Sequence, residues 1–175
     1  MPTPKIGKIL SITLILAFLA WTTIRTIGAR PPETPNASLF PKPTIDATLS
    51  TSKKEEVVVF AGGCFWGVQA AFEHVKGVKS ATSGYSGGHL KSPGYEAVST
   101  GVTGHAGSVR VAYDPSQITF GQLLMVYFSV AHDPTQLNRQ GSDTGSQYRS
   151  AIFYSNENQK QIAESYIAQL NSAAV

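Results

Sequence analysis

Apolar residues along this chain follow patterns of several periods, each predicting a different element. Val57-Val58-Val59-Phe60 is an unbroken apolar run closed by Gly62-Gly63, short enough for a buried strand. Directly after it, Phe65, Val68, Phe72 and Val75 recur at helical spacing, the stripe of an amphipathic helix that stops near Gly77. Val78–Tyr85 reads as a second strand, followed by a Gly/Ser/Pro loop over 86–94. Val109, Val111 and Tyr113 alternate with Arg110 and Ala112, a half-buried strand ended by Asp114-Pro115. Thr119 and Gln122 stand at capping-box spacing and open a helix through Leu123, Leu124, Tyr127 and Phe128. A polar loop, His132–Arg149, precedes a last strand, Ala151–Tyr154, and a helix from Asn156 carries Ile162, Tyr166, Ile167 and Leu170. This order predicts an α+β fold, a two-layer ferredoxin-like sandwich in which a mixed sheet is covered by helices.

Upstream of Glu55 the pattern is different. Residues Ile9–Ile24 are uncharged and mostly apolar and follow Lys5 and Lys8, the layout of an export signal. The run is longer than a usual signal core and shorter than the roughly 20 residues of a comfortable membrane span. A cleaved signal peptide and a retained membrane anchor over 1–29 both remain open. Either one puts the domain outside the cytoplasm, periplasmic or otherwise extracytoplasmic, with the lysines inside. Residues 30–53 hold Pro31, Pro32, Pro35, Pro41 and Pro43 among Thr, Ser and Ala, without period, and read as a Pro-rich linker. The folded domain is then expected over 54–175.

Charge changes this picture little. Of 14 Lys and Arg, Lys5, Lys8 and Arg25 fall in the first 29 residues, which contain no acid; the other 11 balance 11 Asp and Glu. The basic pI of about 9.0 therefore belongs to the N-terminal segment, and no nucleic-acid-binding surface follows from it.

Cysteine changes it more. A single Cys, Cys64, excludes an intramolecular disulfide and any multi-cysteine metal site. Strand, two glycines, cysteine, helix is an order that puts the sulfur at a helix N-terminus, where free N–H groups and the helix dipole stabilise an anion. For a thiol that anion is the thiolate, the reactive form. The glycines leave the sulfur uncovered, and Phe65 and Trp66 beside it can wall an apolar pocket. An inert core cysteine at a tight junction is the plainer alternative, and the glycine pair with two flanking aromatics weighs against it. Tyr113 and Tyr154 read as core tyrosines with satisfied hydroxyls, whereas Tyr95 and Tyr148 sit in loop-like sequence where function concentrates. Asp143, within Ser-Asp-Thr-Gly, is equally turn chemistry. His105 and His132 invite a Cys–His pairing of the protease kind.

Gly62-Gly63-Cys64-Phe65-Trp66-Gly67 resembles the active-site motif of the A-type, S-epimer-specific peptide methionine sulfoxide reductases. Further segments resemble the same family in order: Gly84–Gly88, Tyr95–Val98, Thr103–Ala106, Tyr113–Pro115, His132–Thr135 and Arg139–Ser150. The resemblance implies that Cys64 attacks the sulfoxide sulfur and that Phe65 and Trp66 receive the substrate methyl group. It implies that Tyr95 and Tyr148 bond the sulfoxide oxygen and that Asp143 orients the polar side. It further implies thiol-dependent repair of methionine (S)-S-oxide, free or in oxidised proteins under oxidative stress, through a sulfenic acid on Cys64. No cofactor or metal is implied, only an external thiol reductant such as thioredoxin, and a monomer that meets the membrane only through its N-terminal segment. Two departures stand out. Where the family has a glutamate after Gly-His-Ala this chain has Gly107, and no resolving cysteine occurs. The first keeps open a catalytically impaired relative that binds methionine sulfoxide, with Glu96 or held water as other proton sources. The second is what a chain truncated at its C-terminus, or one recycled directly by an external thiol, would give. His105 and His132 are structural in this family, so a different cysteine enzyme ranks last.

Overall fold

The structure is a computed structural model and describes residues 40–173. The expected export segment and residues 30–39 of the expected linker lie outside the described residues.

Strand β1 (Glu56–Ala61) leads through the glycine pair into helix α1 (Phe65–Glu73), and β2 (Val78–Ser86) follows. A five-residue helix α2 (Tyr95–Ser99) precedes β3 (Ala106–Tyr113). Helix α3 (Phe120–Val126) continues as a wider π-turn over Tyr127–Ala131. After two short strands, β4 (Arg139–Gln140) and β5 (Asp143–Thr144), and a 3-10 turn (Ser146–Tyr148), the chain adds β6 (Ala151–Phe153) and helix α4 (Glu157–Ala173).

The main sheet runs β2-β3-β1-β6, the ferredoxin-like order. Its neighbouring pairs are all antiparallel, where the sequence predicts a mixed sheet. The reason is that β3 inserts between β1 and β2. Those two strands, joined through α1, run parallel to each other but are never neighbours. Register then decides which side chains meet the helices. Phe60 faces Val109 and Val58 faces Val111 across one ladder, while Ser83 and Ala81 face the same two valines from the other side. Directly opposed residues share a face. That face is buried with Val68 and Phe72 of α1, Leu123 and Leu124 of α3, and Ile162, Tyr166 and Leu170 of α4 in one apolar cluster. Phe60 lies at its centre, with ring centroids 4.9 Å from Phe72 and 4.7 Å from Tyr127. The opposite face carries exposed Thr82 and Arg110.

Residues 40–53 form no helix or strand, yet the described part of the expected linker is a strap fastened to the domain. Tyr166 Oη donates to the Pro41 carbonyl at 2.8 Å, and Gln169 donates to Lys42 O and accepts from Thr44 N. Asp46 accepts from Thr119 Oγ1 and from Gly121 N at 2.7 Å, putting a carboxylate on the N-terminus of α3. The predicted capping box of Thr119 and Gln122 is formed in both directions. A proline-rich composition is therefore no guide to freedom here, because the segment's carbonyls and one carboxylate find donors on α3 and α4.

Three other expectations are corrected. Tyr95, expected in loop-like sequence, is the first residue of helix α2. Tyr154 is 46% exposed, under the Lys160 ammonium at 5.9 Å, whereas Tyr113 is buried as expected with its hydroxyl on Glu56 at 2.8 Å. Ile167, assigned to the last helix's apolar stripe, is 39% exposed.

Candidate active site

Cys64 is the N-cap of α1, with extended backbone, and its carbonyl already accepts from Gly67 N and Val68 N. Its thiol is exposed, and no side chain caps the helix, so the first N–H groups of α1 remain available to a thiolate. Glycine is required in the approach to it. Gly63 has φ +91°, and a Cβ there would run into Gln140; a Cβ on Gly62 would lie 2.8 Å from His132 Cγ. The loop after α3 therefore packs directly on the glycine turn and fixes where the sulfur emerges.

A cavity of about 170 Å³ opens at the sulfur. At roughly 30 Å³ per water it holds several waters, room for the end of a single side chain. Cys64, Phe65, Trp66, Tyr95, Asp143 and Tyr148 all line it, so the structure brings together every site residue expected from the sequence. Phe65 and Trp66 form the aromatic side, with ring centroids 5.8 Å apart and tilted by 40°. Phe65 is half-buried and Trp66 is 69% exposed, a floor and an open flap. The other side is polar. Tyr95 enters from the first residue of α2, Asp143 from β5 and Tyr148 from the 3-10 turn. Burial, followed by the neighbouring Asp143, Tyr95 and Cys64, pushes the Tyr148 hydroxyl pKa up, so that it keeps its proton and donates.

The sequence reading missed three of the lining residues that matter. Tyr85, at the end of β2, lies with its ring 5.6 Å from Phe65. Ser99 and Gln147 meet at the back, where Gln147 Nε2 donates to Ser99 O at 3.1 Å and ties the helix of Tyr95 to the turn of Tyr148. Tyr85 belongs to a Gly-Tyr-Ser-Gly-Gly run, a glycine-rich strand end that was a usable signal. Gln147 carried none.

The histidines take no part. Neither His105 nor His132 lines the cavity. His132 sits stacked 4.1 Å from Tyr127 and its Nδ1 donates to the Tyr127 carbonyl at 2.9 Å, which leaves no Cys–His pair. Glu96 is exposed and also lies outside the cavity wall. Gly107 does line it, and a Cβ there would meet only ordinary contacts: Gly63 O at 3.5 Å, Gln147 O at 3.6 Å and Phe65 Cβ at 3.9 Å. A first side-chain carbon therefore fits at position 107 without a clash.

A thiol at a helix N-terminus, between an aromatic wall and a row of hydroxyls, defines a thiol site for a small ligand with one apolar and one hydrogen-bond-accepting end. Comparison with known proteins carries this further. The family model described as peptide methionine sulfoxide reductase matches residues 56–175, and the chain belongs to that family. It is 65% identical over 118 residues to peptide methionine sulfoxide reductase MsrA 2 of Mesorhizobium japonicum, covering 67% of this chain and 60% of that protein. The MsrA 2 of Synechocystis sp. is 50% identical over 141 residues, 79% of this chain and 66% of its own length. The chain thus spans about two thirds or less of these relatives. Among solved structures, methionine sulfoxide reductase A of Corynebacterium diphtheriae superposes with a TM-score of 0.61 at 37% identity, over 78% of this chain and 68% of that one. Reading the chain as an impaired binder finds no support among these relatives, which are named as reductases.

Proposed function

We propose that this protein reduces L-methionine (S)-S-oxide, free and within oxidised proteins, to methionine at the expense of an external thiol. The observation that carries the reading is the two-sided cavity at Cys64: aromatic rings on one side, hydroxyls on the other. A methyl sulfoxide has the same two ends. Its methyl lies against Phe65 and Trp66, and its oxygen accepts from Tyr95 and Tyr148, with Asp143 orienting the polar side.

In the reaction the Cys64 thiolate attacks the sulfoxide sulfur while a proton is delivered to the oxygen. Two electrons pass from the cysteine sulfur to the substrate sulfur. The net change is sulfoxide plus thiol to thioether plus sulfenic acid, with the oxygen finishing on Cys64. Two equivalents of external thiol then return the sulfenic acid to the thiol, releasing a disulfide and water. A thioredoxin-like dithiol is the chemically natural donor, because it supplies both thiols from one molecule.

Turnover of methionine (S)-S-oxide with dithiothreitol, absent for the R epimer and lost in Cys64→Ser, is the expected result. A dimedone adduct on Cys64 after oxidant-only turnover identifies the intermediate. Failure of the wild-type chain to reduce the S epimer rejects the reading. We further propose that residues 1–29 export the domain. A reporter fused after residue 53 is expected to mature only outside the cytoplasm, and full cytoplasmic retention rejects export.

A further inference from the structure

Gly107 lines the cavity without a side chain, and the residue directly across the β2–β3 ladder from it is Tyr85. Opposed residues share a face, and this pair lies on the face that also carries Val109 and Val111, the one covered by helices. Phe65 links the two positions: its Cβ lies 3.9 Å from where a Cβ on Gly107 would stand, and its ring lies 5.6 Å from that of Tyr85. Tyr85 therefore stands beside position 107 and lines the same cavity. The charged groups along the cavity reduce to one carboxylate, Asp143, with no Lys, Arg or His among its described lining residues. The fixed side-chain hydroxyls along the cavity are those of Tyr85, Tyr95, Ser99 and Tyr148.

We propose that Tyr85 is a third catalytic tyrosine, whose hydroxyl donates to the sulfoxide oxygen beside Gly107. The inference rests on the reductase reading above. As the bond from Cys64 sulfur to substrate sulfur forms and the S–O bond breaks, the Tyr85 hydroxyl proton moves to the oxygen. Solvent reprotonates the tyrosinate, so the overall stoichiometry is unchanged. Burial and the adjacent Tyr95 hold that proton on in the resting site, so the donor is present across neutral pH.

Tyr85→Phe keeps the ring against Phe65 and removes only the hydroxyl. With methionine (S)-S-oxide and dithiothreitol, kcat is expected to fall about 10- to 100-fold with KM changed far less. Alkylation of Cys64 by iodoacetamide should keep its wild-type rate, since the nucleophile is untouched. In a Gly107→Glu background, where a carboxyl group is added at that position, the same Tyr85→Phe change should cost no more than about threefold. A kcat within twofold of wild type, an alkylation rate that falls in parallel with kcat, or an equal cost in both backgrounds would each overturn the assignment. Absence of turnover in the wild-type chain would instead remove the reductase reading itself, and with it a catalytic role for Tyr85.

Discussion

The two halves of the cavity are built by different means. The nucleophile half comes off the core: β1 delivers Gly62-Gly63-Cys64 with Phe60 and Ala61 fully buried behind it, and α1 anchors itself through Val68 and Phe72. The oxygen half hangs on short pieces, a five-residue helix, a two-residue strand and a three-residue turn, tied mainly by hydrogen bonds between side chains and backbone. Apolar packing is cooperative and costly to disturb, while exposed polar ties are weak one by one. Cys64, the nucleophile of the proposed reaction, is placed by the first construction. The hydroxyls that bind the oxygen in the proposed reaction are placed by the second.

Truncating the core support should produce the largest effect and separate the halves most sharply. Phe60→Ala removes the ring sandwiched between Phe72 and Tyr127 and is expected to lower stability by about 3–5 kcal/mol. Urea unfolding followed by tryptophan fluorescence measures it. A loss under 1 kcal/mol would mean that the nucleophile half is not founded on the core.

Gln147→Ala probes the other half. It cuts the tie from the Tyr148 turn to Ser99 and so frees the helix that carries Tyr95. Stability should fall by only about 0.5–1.5 kcal/mol, the worth of one hydrogen bond. The kcat/KM for sulfoxide should drop roughly tenfold as two hydroxyls lose their spacing. Gln147→Glu, which cannot donate to the Ser99 carbonyl when ionised, should behave like the alanine variant. If either change costs as much stability as Phe60→Ala, the division between the halves fails.

How much of this was legible follows the same division. The nucleophile half announces itself: a continuous apolar run, a glycine pair, a lone cysteine and a helical stripe are all local patterns, and the fold behind them follows from their order. The oxygen half was legible only as single residues. Tyr95, Asp143 and Tyr148 stand out in the family motifs, but helix α2 is too short to show a period. The tie from Gln147 to Ser99 spans 48 positions and leaves no trace in either segment. Tyr85 was read as the end of a strand, because only the register with β3 reveals that it faces Gly107. The strap was misread for a related reason. Asp46 looks like a linker residue until Gly121, 75 positions away, is seen to donate to it.

Asp46→Ala tests that strap and should be felt by neither half of the cavity. Removing the carboxylate from the N-terminus of α3 is expected to cost about 1 kcal/mol, the usual worth of a cap. Activity should be unchanged, since α3 reaches the cavity only through the loop beyond it. Thermal unfolding and turnover together check this, and a loss of kcat without a loss of stability would show the strap acting on the site.

The smallest effect concerns the contact where the halves meet. His132 packs against Gly62 and is partly buried, and desolvation outweighs its Tyr127 and Asp133 contacts to hold its imidazole pKa below the ordinary value of about 6.5. The unfolded chain therefore binds this proton first on acidification. The stabilisation is fully present above the unfolded pKa and is lost as pH falls from about 6.5 toward the lower folded value. Between pH 7.5 and 5.5 the wild-type chain should lose stability while His132→Gln, though weaker throughout, shows a flatter profile. Asp114, held down to about 2 by its bonds to Ser116 and Gln117, does not titrate in that window. Equal slopes for wild type and variant would mean that His132 is not the group that loosens the glycine turn in acid. A flatter slope would make the Gly62–His132 contact the place where pH reaches the more rigid of the two halves.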